Sequence, residues 1–164
     1  MSNQKRIGIF AGTFDPLTKG HLNLIERSSK LFDEVIVVIA VNTSKKTLFT
    51  VEERIQLISE SVSHLSNISV DFLKDGLIAN YFKEKNATAL IRGLRNSIDM
   101  DYEFSIASAN ARQVDGLETV ILYAADQYRY LSSSLIKEIA FFDGDISDMV
   151  PENVEKAIFD KIKQ

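Results

Sequence analysis

A parallel α/β sheet covered by helices on both faces is the fold class that this sequence predicts, and three observations carry it. The run Val35-Ile-Val-Val-Ile-Ala-Val41 is apolar throughout and rich in β-branched residues, as a strand buried on both faces requires. Residues 7–21, Ile-Gly-Ile-Phe-Ala-Gly-Thr-Phe-Asp-Pro-Leu-Thr-Lys-Gly-His, pass from a short apolar strand through a small-residue turn into a helix that opens with a histidine. Strand and helix patterns then alternate along the chain with short loops between them, which implies crossover connections rather than hairpins. The length of 164 residues, 45% of them hydrophobic, fits one domain spanning 1–164.

After the first strand, Leu22, Ile25, Ser29 and Phe32 recur at helical spacing and predict a helix to about residue 32. The β-branched run is the second strand. Thr50-Val-Glu-Glu53 reads as a capping box opening the next helix, with Ile55, Ile58, Val62 and Leu65 on its buried side and His64 as an exposed structural residue. Residues 68–72 predict a third strand, and Leu77, Ile78, Tyr81 and Phe82 a short helix after the Lys74-Asp75-Gly76 turn. Ala89-Leu90-Ile91 predicts a brief fourth strand that ends in Arg92-Gly93-Leu94-Arg95.

Residues 99–114 predict a long helix with Tyr102, Ile106, Ala109 and Gln113 on one side and Glu103 and Asn110 on a more polar one. Residues 119–124 predict a fifth strand, and Ser132-Ser133-Ser134 opens a helix through Leu135, Ile136 and Ile139. Asp143-Gly144-Asp145 lacks the spacing of a calcium loop and reads as a turn. Pro151 suits the first turn of a closing helix through Val154, Ala157, Ile158 and Ile162.

Composition excludes several function classes. With no cysteine there is no disulfide framework, thiolate zinc site or thiol nucleophile. A formal net charge of −4 argues against non-specific nucleic-acid binding, while leaving room for a local basic pocket. No apolar run is long enough to span a bilayer and the polar start Met-Ser-Asn-Gln-Lys-Arg lacks a signal-peptide pattern, so no membrane partner and a cytoplasmic location are expected. Neither G-x-x-x-x-G-K-[S/T] nor G-x-G-x-x-G occurs, which disfavours phosphate-loop NTPases and dinucleotide oxidoreductases.

The residues that remain point to phosphate. A strand-turn-helix junction presents free backbone N–H groups and the positive end of a helix dipole. Gly12 lets the chain turn, Thr13 offers a hydroxyl, and Gly20 leaves space beside His21. Lys45, Arg92, Arg95 and the serine run are expected past strand ends or at helix starts, converging on the edge where open α/β sheets bind ligands. Taken singly, Lys45-Lys46 is as readily a solvated loop pair, the arginines are as readily solvated, and one serine suffices as an N-cap.

Hydroxyls and cations without a carboxylate pair fit charge stabilisation better than proton transfer. Nucleotidyl transfer needs that. A phosphate monoester with a second pKa near ~6 is already a dianion at neutral pH and needs no base. The obstacle is repulsion between anions, about 4 kcal/mol for two unit charges ~4 Å apart at an effective dielectric near 20. Fixed donors offset it and bind the developing charge more strongly in the transition state.

Gly12-Thr13-Phe14-Asp15-Pro16 followed by Thr18-Lys19-Gly20-His21 resembles the signature of the nucleotidyltransferases that carry a His/Thr-x-Gly-His motif. With Ser44-Lys45-Lys46, Phe49-Thr50-Val51-Glu52-Glu53-Arg54, Ile91-Arg92-Gly93-Leu94-Arg95 and Ser132-Ser133-Ser134-Leu135-Ile136-Lys137-Glu138, the chain is similar, nearly end to end, to the bacterial phosphopantetheine adenylyltransferase family. The resemblance implies a Rossmann-like doubly wound five-stranded sheet in the order 3-2-1-4-5 and a homohexamer. It implies transfer of an adenylyl group from ATP, with magnesium (Mg2+) carried on its phosphates, to 4′-phosphopantetheine, giving dephospho-coenzyme A and pyrophosphate.

Position by position, the resemblance makes His21, Lys45 and Arg95 catalytic, His21 stabilising the transition state at the ATP α-phosphate. Thr13 would orient the attacking phosphate, and Lys45 and Arg92 would grip the phosphopantetheine side, with Ile78 and Asn110 along the pantetheine arm. Thr13, Phe14, His21, Gly93, Leu94, Arg95 and Glu103 would line the ATP site. Tyr128, Arg129, Tyr130, Leu131, Ser132, Ser133 and Ser134 would complete it, the serines reaching phosphates. The chain departs from the family in Ala11, where many members have proline, and in Tyr128, where tryptophan is common. A cytidylyltransferase of the same superfamily and a catalytically silent nucleotide-binding protein are the alternatives.

Overall fold

The protein is described here by a computed structural model covering residues 4–163. Five parallel strands, β1 (Ile7–Gly12), β2 (Glu34–Ala40), β3 (Ile68–Leu73), β4 (Ala89–Leu94) and β5 (Thr119–Tyr123), form one sheet in the order β3-β2-β1-β4-β5. Its helices are α1 (Lys19–Ser29), α2 (Val51–Ser61), α3 (Ile78–Glu84), α4 (Ser97–Gln113), α5 (Ser133–Phe141) and α6 (Glu152–Ile162). The expected class and strand order are both present. The first helix stops at Ser29, with Lys30 as its C-cap, three residues short of the expected end near 32.

The period-two alternation of β2 divides the core between the two faces. Val35, Val37 and Ile39 pack with Phe10, Leu24, Ile25, Ile58, Ile136 and Ile158 under α1, α2, α5 and α6. Ile36 and Val38 pack with Ile9, Leu90, Ala79, Tyr81 and Phe82 under α3. Thr50 and Glu53 cap α2 reciprocally, the Glu53 amide donating to Thr50 Oγ1 at 3.2 Å and the Thr50 amide donating to Glu53 Oε2 at 2.8 Å.

Pairing between β1 and β4 is short, and the site follows from that. Gly8, Ile9 and Phe10 pair with Ala89, Leu90 and Ile91, after which the strands part. From Arg92 to Leu94, β4 pairs only with β5, opposite Ile121, Leu122 and Tyr123. Arg92 and Gly93 therefore stand inside a strand rather than just beyond its end, which corrects the expected boundary at Ile91. A crevice opens where strand order reverses, at the carboxyl end of the sheet.

Helix α4 starts at Ser97, two residues before the expected start at Asp99. Its one buried residue is Glu103, on the side expected to be the more polar, and Tyr102 is exposed. Ile98 is 80% and Phe104 73% exposed. Ile98, Tyr102 and Phe104 thus stay largely exposed among the described residues, while Ile106 and Ala107 are half-buried.

Helix α6 closes the larger layer through fully buried Val154 and Ile158. Ile158→Ala is expected to cost about 2–5 kcal/mol, the range for truncating a buried aliphatic side chain, measured as a lower urea midpoint at an unchanged m-value.

Candidate active site

The turn between β1 and α1 is built around Phe14. Its φ of 51° is unusual for a bulky residue and is held by packing on both sides. The Phe14 ring centroid lies 5.8 Å from that of Phe10 and 5.1 Å from that of His21, edge-on to the latter. A Cβ on Gly12 would stand 3.0 Å from the Phe14 ring, so Gly12 serves close ring packing, while the unusual backbone turn falls at Phe14. Buried Arg54 donates from Nη1 to Thr13 O at 2.9 Å, and Ser133 Oγ donates to Pro16 O at 2.8 Å.

His21 is the N3 residue of α1 and takes the part usually played by glutamate in a capping box. The His21 amide donates to Thr18 Oγ1 at 3.1 Å, and the Thr18 amide donates to His21 Nδ1 at 3.0 Å. An Nδ1 that accepts carries no proton, so the neutral ring bears its hydrogen on Nε2. Burial pushes the imidazole down to about 4, with Arg95 and then Arg92 acting in the same direction. The side chain is a fixed neutral donor at the positive end of a helix.

Two cavities share the crevice. One, of about 370 Å³, is walled by Phe14, His21, Gly93, Arg95, Tyr128, Leu131, Ser132 and Ser133. The other, of about 320 Å³, is walled by Thr13, Ile78, Ala40, Ile106 and Asn110. Ala11, Gly12, Arg92, Tyr102 and Glu103 border both and form the seam between them. A Cβ at Gly93 would meet Leu24 Cδ1 at 2.5 Å, so any larger residue there would push the Leu24 side chain aside.

The arginines of the seam are already partnered. Arg92 donates from Nε and Nη2 to the two Glu103 carboxylate oxygens, each at 2.7 Å, and from Nη1 to Ala11 O at 3.0 Å. Arg95 donates from Nε to Asp99 at 3.0 Å and from Nη1 to Leu131 O at 2.9 Å. The first effect on Asp99 is that hydrogen bond, and it holds the carboxyl below the usual carboxylate range. Each guanidinium keeps further N–H groups with which to meet an anion.

The sequence-predicted residues distribute unevenly over this geometry. Thr13, Arg92, Ile78 and Asn110 meet at the second cavity, and Thr13 is not on the first. Leu94 and Arg129 line a neighbouring hollow that shares Arg95 with the first cavity, with Arg129 Nε donating to Arg95 O at 2.9 Å. Tyr130 and Ser134 are exposed and border none of these cavities. Lys45 is exposed on the β2–α2 loop at the same sheet edge and touches neither cavity. Ser132 is the α5 N-cap, accepting from the Leu135 amide at 3.2 Å.

Sequence reading missed Asp99, Tyr102 and Arg54. Asp99 stands four residues after Arg95, a helix-like spacing that could have flagged the pair; Arg54 carries no such signal.

The cytidylyltransferase-like family matches residues 9–139, most of the chain. A phosphopantetheine adenylyltransferase of Thermodesulfovibrio yellowstonii is 47% identical over 97% of this chain and 99% of its own. The chain belongs to the phosphopantetheine adenylyltransferase family. Members named alike from Caldanaerobacter subterraneus and Syntrophomonas wolfei are 43% and 41% identical, covering 97% and 96% of this chain and 99% and 97% of theirs. Among solved structures, a putative nicotinate-nucleotide adenylyltransferase from Vibrio parahaemolyticus aligns with a TM-score of 0.70 at 19% identity, over 96% of this chain and 94% of that one. At that identity it speaks for the fold alone.

The neutral state of His21 has a measurable consequence. An unfolded histidine titrates near ~6.5, so between there and about 4 the unfolded chain binds the extra proton. This contribution to stability is complete above about pH 6.5 and is lost as pH falls toward 4. Unfolding free energy of the ligand-free protein, compared with His21→Gln over that window, is expected to converge as pH falls. Nitrogen NMR at pH 6 is expected to show the Nε2–H tautomer, and an imidazolium there would contradict it.

Proposed function

We propose that this chain transfers the adenylyl group of ATP to 4′-phosphopantetheine, giving dephospho-coenzyme A and pyrophosphate, the step before the last in coenzyme A synthesis. The observation carrying this reading is the meeting of two cavities at one seam, with the His21 donor on one side and Thr13 on the other. The full-length relatives of the same name support it.

In this reading ATP takes the cavity with His21, Arg95, Ser132 and Ser133, and the acceptor takes the cavity with Thr13, Ile78 and Asn110. The acceptor's phosphate reaches the seam, where one of its oxygens bonds to the α-phosphorus and the bond to the β-phosphate breaks. No proton must move: the nucleophile is a dianion and pyrophosphate leaves as an anion. Neutral His21 then acts by donating Nε2–H to the α-phosphate oxygen where charge builds, at the positive end of the α1 dipole. Arg95 and the α5 N-terminus hold the leaving phosphates, while Arg92 and Lys45 hold the acceptor phosphate, Lys45 closing in from its loop.

Among the described residues no three His, Cys, Asp or Glu side chains gather as a metal site. Magnesium is therefore proposed as a passenger on the ATP phosphates, neutralising charge there. A homohexamer is part of the same proposal, supported by the exposed Ile98 and Phe104 of α4 and by Tyr123, 73% exposed on edge strand β5. A cytoplasmic location is proposed with it, since both substrates are water-soluble phosphate esters.

Pyrophosphate release with ATP, magnesium and 4′-phosphopantetheine is the direct test, with dephospho-coenzyme A identified by mass. Release with CTP and glycerol 3-phosphate instead would replace the substrates while keeping the chemistry. His21→Ala is expected to lower kcat by about 10²–10³-fold, or about 2.7–4 kcal/mol, with ATP affinity little changed. Sedimentation of the wild type is expected to give six copies, and Phe104→Asp smaller species; a wild-type monomer would remove the assembly from the proposal.

A further inference from the structure

The buried carboxylate of Asp15 lies outside the transfer chemistry just described, yet it joins three segments that carry it. Asp15 Oδ1 accepts from the Phe49 amide at 2.9 Å. Its Oδ2 accepts from the Leu48 amide at 2.9 Å and from Lys137 Nζ at 3.0 Å. Asp15 itself follows Phe14 in the β1–α1 turn, Leu48 and Phe49 end the loop that carries Lys45, and Lys137 stands in the helix whose start includes Ser132 and Ser133. The side chain of Asp15 is only 4% exposed, and three donors converge on its two oxygens.

We infer that Asp15 is a positioning residue that fixes the Lys45 loop against the Thr13 turn, so that Lys45 closes on the acceptor's phosphate from a set base. The loop's exposed tip is held only locally, with the Ser44 amide donating to Asn42 Oδ1 at 3.0 Å and the Lys45 amide donating to Asn42 O at 3.2 Å. The joint between the tip and the sheet is thus at Leu48 and Phe49. A carboxylate suits this place because it accepts on both oxygens; an asparagine would turn an NH2 group toward an amide or the Lys137 ammonium. A tie serving folding alone would affect both substrates alike, whereas this one acts on the acceptor through Lys45. The inference rests on the adenylyl-transfer reading for the identity of that acceptor.

The test is Asp15→Asn alone, Lys45→Ala alone and the two combined, in the full chain. Asp15→Asn is expected to raise KM for 4′-phosphopantetheine about 10–100-fold, the scale of a ~1 Å misplacement, with ATP dissociation changed less than about twofold. In the Lys45→Ala background it is expected to add less than about twofold, because both substitutions remove the same contact. Equal losses for both substrates, or full multiplication of the two effects, would overturn the inference. Lys137→Met keeps both amide bonds and covers the case in which Asp15→Asn fails to fold. It is expected to give the same substrate split at smaller size, and no split would count against Asp15. Hydrogen exchange separates this from the functional reading: amides of residues 42–49 are expected to exchange at least about tenfold faster in the Asp15 variant, or the Lys137 variant if needed, with β1 and β2 unchanged. A wild type without adenylyl transfer but with that exchange response would reject the substrates and keep the positioning role, and unchanged exchange would reject the role.

Discussion

The early parting of β1 from β4 is the constraint on which the site depends. A parallel ladder that ends after Phe10 and Ile91 leaves strand-end backbone without its neighbour, and buried polar groups must find other partners. Arg92 supplies one by donating from Nη1 to Ala11 O across the gap. The side chain that bridges the crevice is therefore also part of the seam between its two cavities. Glu103 holds the remaining edge of that guanidinium from α4. The crevice, its dividing wall and its charge arise from one break in strand pairing.

The second organising interaction is local. Thr18 and His21 cap a helix, and the same pair of bonds fixes which imidazole nitrogen carries hydrogen. A helix start that must satisfy its free amides thus produces an oriented Nε2–H donor as a by-product. In the proposed role, a ring held neutral by burial stabilises developing negative charge without first holding a proton that a phosphate would compete for. An imidazolium would attract bound phosphate and transition state alike, whereas a directional donor would reward only the geometry reached in the transition state.

Much of this was legible because it is local or periodic. Both capping boxes lie at three-residue spacing, and the β-branched run of β2 announces a central strand. Thr13, His21, Arg95 and Ser132 line the crevice because they sit at or just past strand ends and helix starts. The fourth strand was cut short because Arg-Gly-Leu after an apolar triplet reads as loop; its pairing with β5 alone is a tertiary fact. Helix α4 is hard to read for a related reason: periodicity does not say which side the sheet takes, and within one chain Glu103 is buried while Ile98, Tyr102 and Phe104 stay exposed. Phe14 at positive φ, buried Arg54 and the contacts of Asp15 join residues far apart in sequence, and no spacing rule reaches them.

Pairing each arginine of the crevice with a carboxylate raises the question of what such an arrangement gains. A free pair of guanidinium groups would bind polyanions strongly but would also repel each other and move on their long stems. Glu103 and Asp99 hold Arg92 and Arg95 in place through charge-assisted, fork-shaped contacts before any ligand arrives. The carboxylates lower the net field, so affinity for arbitrary anions falls while the directed N–H groups remain. That arrangement suits a reaction whose substrates and products are all phosphates: grip strong enough to resist release of pyrophosphate would slow each cycle. Orientation, already supplied by the protein, is worth more to the transition state than additional charge spread equally over every bound state.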